Sequence, residues 1–178
     1  MTAVSTKARI LLFTGDGKGK TTAALGMVLR SVGHGMRAVI VQFIKNDACT
    51  GEIEALRQVQ GVTIIQVGRG FIPPKDSRAY QLHRSAAEDG LKQAEAVLSS
   101  GSADLLVLDE IAVAIAHGLI DEHSVIELVA KAGPGIIVVM TGRSASPALM
   151  DIADTVTEMR AFKHGYDSGV AAQKGVEY

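Results

Sequence analysis

The chain has 178 residues, 47% of them apolar and 21% charged, with a formal net charge of -1, which suits one domain over residues 1–178 with a sizeable core. Scattered lysines and arginines exclude the basic face of a nucleic-acid binder, and no apolar run approaches the ~20 residues of a membrane span. A lone Cys49 excludes a disulfide framework or cysteine metal cluster, and the polar segment 1–7 lacks the apolar core of a signal peptide, so a cytoplasmic α/β protein is expected.

Residues 9–13 (RILLF) form the first expected strand, and a helix is expected over 21–33, with Ala23, Ala24, Met27, Val28 and Val32 on one face. Gly33-His34-Gly35 stops that helix. Strands follow at 37–43 (RAVIVQF) and 62–67 (VTIIQV), then a long alanine-rich helix over 77–99 and a strand at 105–108. A helix over 122–132 has Asp121 as its N-cap, and a fifth strand spans 135–140. A short helix over 147–153 opens with Ser146 as cap and Pro147 in its first turn. The last strand, 154–159, is short and polar, as suits a sheet edge. Continuously apolar strands separated by helices specify a mainly parallel central sheet with helices on both faces. Sites in such folds lie at the carboxyl ends of the strands.

The first strand empties into Thr14-Gly15-Asp16-Gly17-Lys18-Gly19-Lys20-Thr21-Thr22. Glycines let backbone N–H groups turn toward an anion, the following helix adds its positive end, and Lys20 supplies a point charge. Thr21 offers a hydroxyl to a magnesium ion. The loop is one residue shorter than the usual pattern, because Gly15 and Gly19 enclose three residues and Thr14 stands where the first glycine normally sits. The competing reading is a Gly/Lys-rich surface turn, which the strand-to-helix context disfavours. Leu105 to Leu108 end in Asp109-Glu110, a carboxylate pair suited to a hard cation, with Glu110 as ligand and Asp109 behind it. Solvated acids at a strand end are the alternative. Arg143 follows the fifth strand and is placed near the same ligand or at a loop tip. The five histidines have no metal-ligand spacing, and no nucleophile elbow, Cys-His pair or nicotinamide fingerprint appears.

These segments, with Val41 to Lys45 (VQFIK), Gly51-Glu52, Gly70-Phe71, Gly118 to Asp121, Thr141-Gly142-Arg143 and the tail from Asp154 to Tyr178, resemble the ATP:corrinoid adenosyltransferase family of the CobA/BtuR type. The resemblance spans nearly the whole chain, and the short loop is itself a family trait. It implies a RecA-like P-loop fold. It also implies transfer of the 5′-deoxyadenosyl group of ATP to the cobalt(I) of cob(I)alamin or cob(I)yrinic acid a,c-diamide, with triphosphate released. Implied with it are Mg²⁺ or Mn²⁺, a flavoprotein reductase as electron donor and a homodimer. Carried over residue by residue, Gly15, Asp16, Gly17, Lys18, Gly19, Lys20, Thr21 and Thr22 contact the triphosphate, with Lys45 and Arg143 as further charges. Thr21 and Glu110 hold the metal, with Asp109 beside them. Phe71 packs at the lower face of the corrin. The chain departs from the family's Gly-Phe-Thr-Trp by reading Gly70-Phe71-Ile72-Pro73, and it has no tryptophan. The rival class is a RecA-like ATPase or a nucleoside kinase; a motor would need a basic surface or an arginine finger, a kinase an acceptor pocket and a base. A nucleotide-dependent regulator or corrinoid carrier is the non-enzymatic alternative.

Overall fold

A computed structural model describes residues 7–47 and 50–176; the lone Cys49, the segment 1–6 and the last two residues of the tail lie outside the described residues. Six strands form one sheet: β1 (Arg9–Thr14), β2 (Ala38–Gln42), β3 (Val62–Gln66), β4 (Leu105–Asp109), β5 (Ile137–Thr141) and β6 (Thr155–Glu158). Their order is β3-β2-β4-β5-β1-β6, and every pairing is parallel. The polar sixth strand is at the edge, as expected, and all four of its residues are exposed.

The helices are α1 (Lys20–Gly33), α2 (Gly51–Arg57), α3 (Arg78–Ser100), α4 (Ile111–Ala116), α5 (Glu122–Ala130) and α6 (Pro147–Asp151). Alternate residues of each strand feed two core layers, as the period of two requires. Ile10, Leu12, Val39, Val41, Leu106 and Leu108 face the layer that includes Ala87 of α3, Ile111 of α4, Leu128 of α5 and Leu149 of α6. Ile40, Leu105, Val107 and Val139 face the other, with Ala24 and Val28 of α1 and Leu56 of α2. The sheet is thus covered on both faces. The caps expected at Asp121 and Ser146 are in place, and Ser77, expected inside the long helix, caps it instead; each accepts a backbone N–H in the first turn of α5, α6 and α3 respectively.

Two helices were not expected. α2 is only seven residues long, and α4 (IAVAIA) continues the apolar run of β4 with no polar residue to mark a helical period. A break between β4 and α4 comes instead from the backbone. Glu110 adopts φ 61°, one of two non-glycine residues at positive φ among those described. Such a conformation costs about 1–3 kcal/mol and persists only where the surroundings impose it.

Candidate nucleotide site

At the carboxyl end of the sheet, the loop after β1 turns into α1 through Gly19, whose φ is 113°. No side chain caps α1, so its first-turn N–H groups face outward at the positive end of a 14-residue helix. The loop rests on the chain that follows β6. The Gly17 N–H donates to the Met159 carbonyl at 2.6 Å, and a Cβ on Gly17 would lie 2.7 Å from that oxygen. Only glycine allows so close an approach.

Lys20 is 6% exposed, and its Nζ donates to the carbonyls of Gly15 and Gly17, both at 2.7 Å. Burial pushes the ammonium below its ordinary pKa; Glu110 and Asp16 oppose that shift and Arg143 adds to it. The loop beside this lysine borders a cavity of about 550 Å³, lined by Gly17 to Thr22, Lys45, Glu110 and Arg143. Most of the residues singled out in the sequence therefore converge on one hollow. Gly15 and Asp16 do not line it; Gly15 acts through its carbonyl on Lys20 and Asp16 through its charge. The cavity is also lined by Glu52 at the start of α2, from a segment that carried the resemblance, and by His164, a tail residue that the sequence left open as a ligand contact or a tie for the C-terminus; Leu25, Gly175 and Val176 were not foreseen. Glu52 lies 3.6 Å from the Lys45 Nζ.

Asp109 sits beneath the floor. Its carboxylate is fully buried and accepts from three donors: the Thr21 and Thr141 hydroxyls on Oδ1, each at 2.8 Å, and Gln42 Nε2 on Oδ2 at 3.0 Å. The Lys45 Nζ stands 3.7 Å from Oδ2. Glu110, the next residue, faces the cavity. Burial pushes its carboxyl above the ordinary range and the Asp109 charge adds to this, against Lys20, Lys45 and Arg143.

Two neighbouring carboxylates and a hydroxyl oxygen form a hard donor set, and burial of the Glu110 carboxylate, with the Asp109 charge beside it, disfavours its ionised form in a way that a bound cation would relieve. The residues fit a divalent magnesium-like ion at Thr21 and Glu110. Among the described residues, no group of three or more His, Cys, Asp or Glu side chains is placed to hold a metal ion, so such a cation would rest on Thr21, Glu110 and the oxygens of a bound polyphosphate.

Phe71 is elsewhere. It lies in the loop after β3, 94% exposed, and does not line the cavity. Its loop is nonetheless tied to the one carrying Lys45: the Gly70 N–H donates to the Ile44 carbonyl at 2.8 Å, and a Cβ on Gly68 would lie 2.2 Å from the Ile44 carbonyl carbon.

A parallel sheet with a glycine loop, a lysine at its centre and a carboxylate pair two strands away defines a phosphate-loop nucleotide-binding protein of RecA-like fold. A solved structure, that of a KaiC-like protein from Pyrococcus horikoshii, superposes with a TM-score of 0.55 at 18% identity, covering 89% of this chain and 74% of that one, a likeness of fold. The chain belongs to the ATP:corrinoid adenosyltransferase family BtuR/CobO/CobP, whose family model matches residues 6–178. It is 40% identical to a corrinoid adenosyltransferase of Pseudomonas aeruginosa, over 95% of this chain and 83% of that protein. Identity to the corrinoid adenosyltransferase of Escherichia coli K12 is 36%, and to the corrinoid adenosyltransferase CobA of Salmonella typhimurium 38%, each over 95% of this chain and 85% of the relative. Membership disfavours the ATPase and kinase alternatives. No helix among the described residues is long and apolar enough to cross a membrane.

Proposed function

We propose that this protein transfers the 5′-deoxyadenosyl group of ATP to the cobalt(I) of a corrinoid and releases inorganic triphosphate. The observation that carries this reading is that residues of five of the family's matching segments, Gly17 to Thr22, Lys45, Gly51-Glu52, Glu110 and Arg143, meet around one cavity at the end of the sheet. In the reaction the electron pair on cobalt(I) attacks C5′. The C5′–O bond breaks as the Co–C bond forms, and triphosphate leaves with the bonding electrons. No proton is transferred in that step, so no catalytic base is required.

The chain's work is then to hold and to stabilise. Fixing C5′ in line with its attacker can contribute about 7–11 kcal/mol of barrier reduction. Charge growing on the leaving group meets Lys20, Lys45, Arg143 and the uncapped N–H groups at the start of α1, whose residues all line the cavity. Thr21 and Glu110 hold the Mg²⁺ or Mn²⁺, which supplies charge neutralisation of the polyphosphate when bound. Asp109 orients Thr21 from below. Phe71, exposed on a loop tied to that of Lys45, meets the lower face of the corrinoid. The same reading treats residues 1–178 as one catalytic domain, acting in the cytoplasm as a homodimer with a flavoprotein reductase supplying electrons.

The test is an anaerobic assay with ATP and chemically reduced cobalamin or cobyrinic acid a,c-diamide. Alkylated product in the visible spectrum with stoichiometric triphosphate is the expected result. Release of ADP and orthophosphate with no alkylated product would refute the reading in favour of an ATPase.

A further inference from the structure

Thr141 ends β5, the strand lying between the one that feeds the phosphate loop and the one that carries Asp109 and Glu110. It is fully buried, and both capacities of its hydroxyl are used. The proton goes to Asp109 Oδ1 at 2.8 Å, and the oxygen accepts the Glu110 N–H at 2.9 Å. That second bond falls on the residue held at φ 61°, so Thr141 fixes the backbone from which the Glu110 carboxylate enters the cavity. The acceptor of the first bond, Asp109 Oδ1, is shared with Thr21. An ionised carboxylate only accepts, so Thr21, whose hydroxyl also reaches Asp109 Oδ1 at 2.8 Å, must give its single proton there. Its oxygen lone pairs are thereby left for the cavity. One buried hydroxyl thus touches both groups that set the cation donors. The next residue keeps the arrangement tight: a Cβ on Gly142 (φ 141°) would lie 2.9 Å from Ala112 Cβ and from the Val113 N, pushing away the helix that Glu110 opens.

We propose that Thr141 is a positioning residue for the divalent cation that accompanies the nucleotide, acting through the Glu110 backbone and the Asp109 carboxylate rather than by touching the ion. The assignment rests on reading this cavity as a metal–nucleotide site. It does not depend on which acceptor receives the adenosyl group.

The experiment measures Mn²⁺ binding to the full chain with ATP present, from the electron paramagnetic resonance signal of free Mn²⁺, for wild type, Thr141→Val and Thr141→Ser. Valine keeps the shape and removes the hydroxyl. It should weaken Mn²⁺ binding roughly 10–100-fold, the usual range for a group that orients a metal ligand. Metal-free ATP binding in EDTA should remain within about threefold, as should Mn²⁺ binding by the serine variant. In turnover, the valine defect should shrink as Mg²⁺ is raised. Wild-type Mn²⁺ affinity in Thr141→Val, or a serine variant as weak as valine, overturns the proposal. So does parallel loss of metal-free and metal-dependent ATP binding, which is the mark of a merely structural role. If the valine variant does not fold, Thr141→Ala, which crowds nothing, takes its place with the same expectations. A wild-type protein that binds Mn²⁺–ATP but alkylates no corrinoid would refute the proposed activity, while selective loss in Thr141→Val would still support the positioning role.

Discussion

The ground beneath the phosphate loop and the loop around Phe71 are built on opposite plans. Around Asp109, polar groups from β2, β4 and β5 are buried and hydrogen-bonded to one another, the half-buried Thr21 of α1 donates to the same carboxylate, and Lys20 is pinned between two carbonyls. Around Phe71 a large apolar side chain stands 94% in solvent, and beyond β6 Phe162 and Tyr166 do the same at 96% and 82%. A small, highly charged ligand rewards donors fixed in advance, because their ordering cost is met during folding. A broad, flat ligand rewards exposed apolar area that is covered on binding. The two plans match the two proposed substrates.

The sharpest way to break the comparison is Lys20→Ala. Removing the central cation should lower adenosylation about 10²–10³-fold, the scale for deleting one preorganised charge-stabilising donor. Thermal melting should change little, since the lost carbonyl contacts are offset by removal of a buried charge. Turnover near wild type, measured with saturating ATP, would mean that the loop does not hold the triphosphate.

Next come the two carboxylates, which should separate cleanly. Glu110→Gln should cost at least about 100-fold in metal-supported activity, more than Asp109→Asn, because changing a group behind the ligands costs about 10–100-fold. Stability should rank them the other way. An amide at Asp109 turns a donor toward one of its three donors and should destabilise by about 1–3 kcal/mol. Glu110 has its folded-state pKa raised, so the folded protein binds the proton more tightly than the unfolded chain does. Without metal, stability should therefore fall as pH rises from the ordinary carboxylate pKa through the raised one. Glu110→Gln should remove that slope and be the more stable protein at neutral pH. Urea denaturation across pH in EDTA reads this directly, and an unchanged slope would contradict the burial argument.

Phe71→Ala carries the smallest expected effect. Starting from cobalt(II) with a protein reductant, the loss should be roughly tenfold, the worth of one aromatic face contact. Starting from cobalt(I), it should be much smaller, and melting should not move for so exposed a residue. Equal loss in both assays would give Phe71 a binding role only, and no loss in either would remove it from the site. Pro73, where the family has tryptophan, leaves Phe71 without its aromatic partner and sets this expectation at the lower end.

Much of this was legible in the chain because it is local. Strand and helix periods, the caps at Asp121 and Ser146, and the loop from Thr14 to Thr22 each lie within a few neighbouring residues. The buried polar floor is not local. Thr141 and Gln42 look like ordinary strand ends, and their partner Asp109 belongs to another strand; only the order β2-β4-β5 brings them together. Helix α4 escaped for a related reason: buried and nearly all apolar, it has no polar face to reveal its period. Gly175 and Val176 reach the cavity by a path of the tail that no spacing encodes.

The strand order also dictates a sequence of events during synthesis. The loop leaves the ribosome before every other strand of the sheet but β1, yet β1 pairs with β5 and β6, the last two strands made, and Gly17 leans on Met159. Contacts so distant in sequence form late. The nascent protein therefore carries its nucleotide loop unfinished while β2 to β5 are made, and the loop gains its second flanking strand and its support only once β6 and Met159 have emerged.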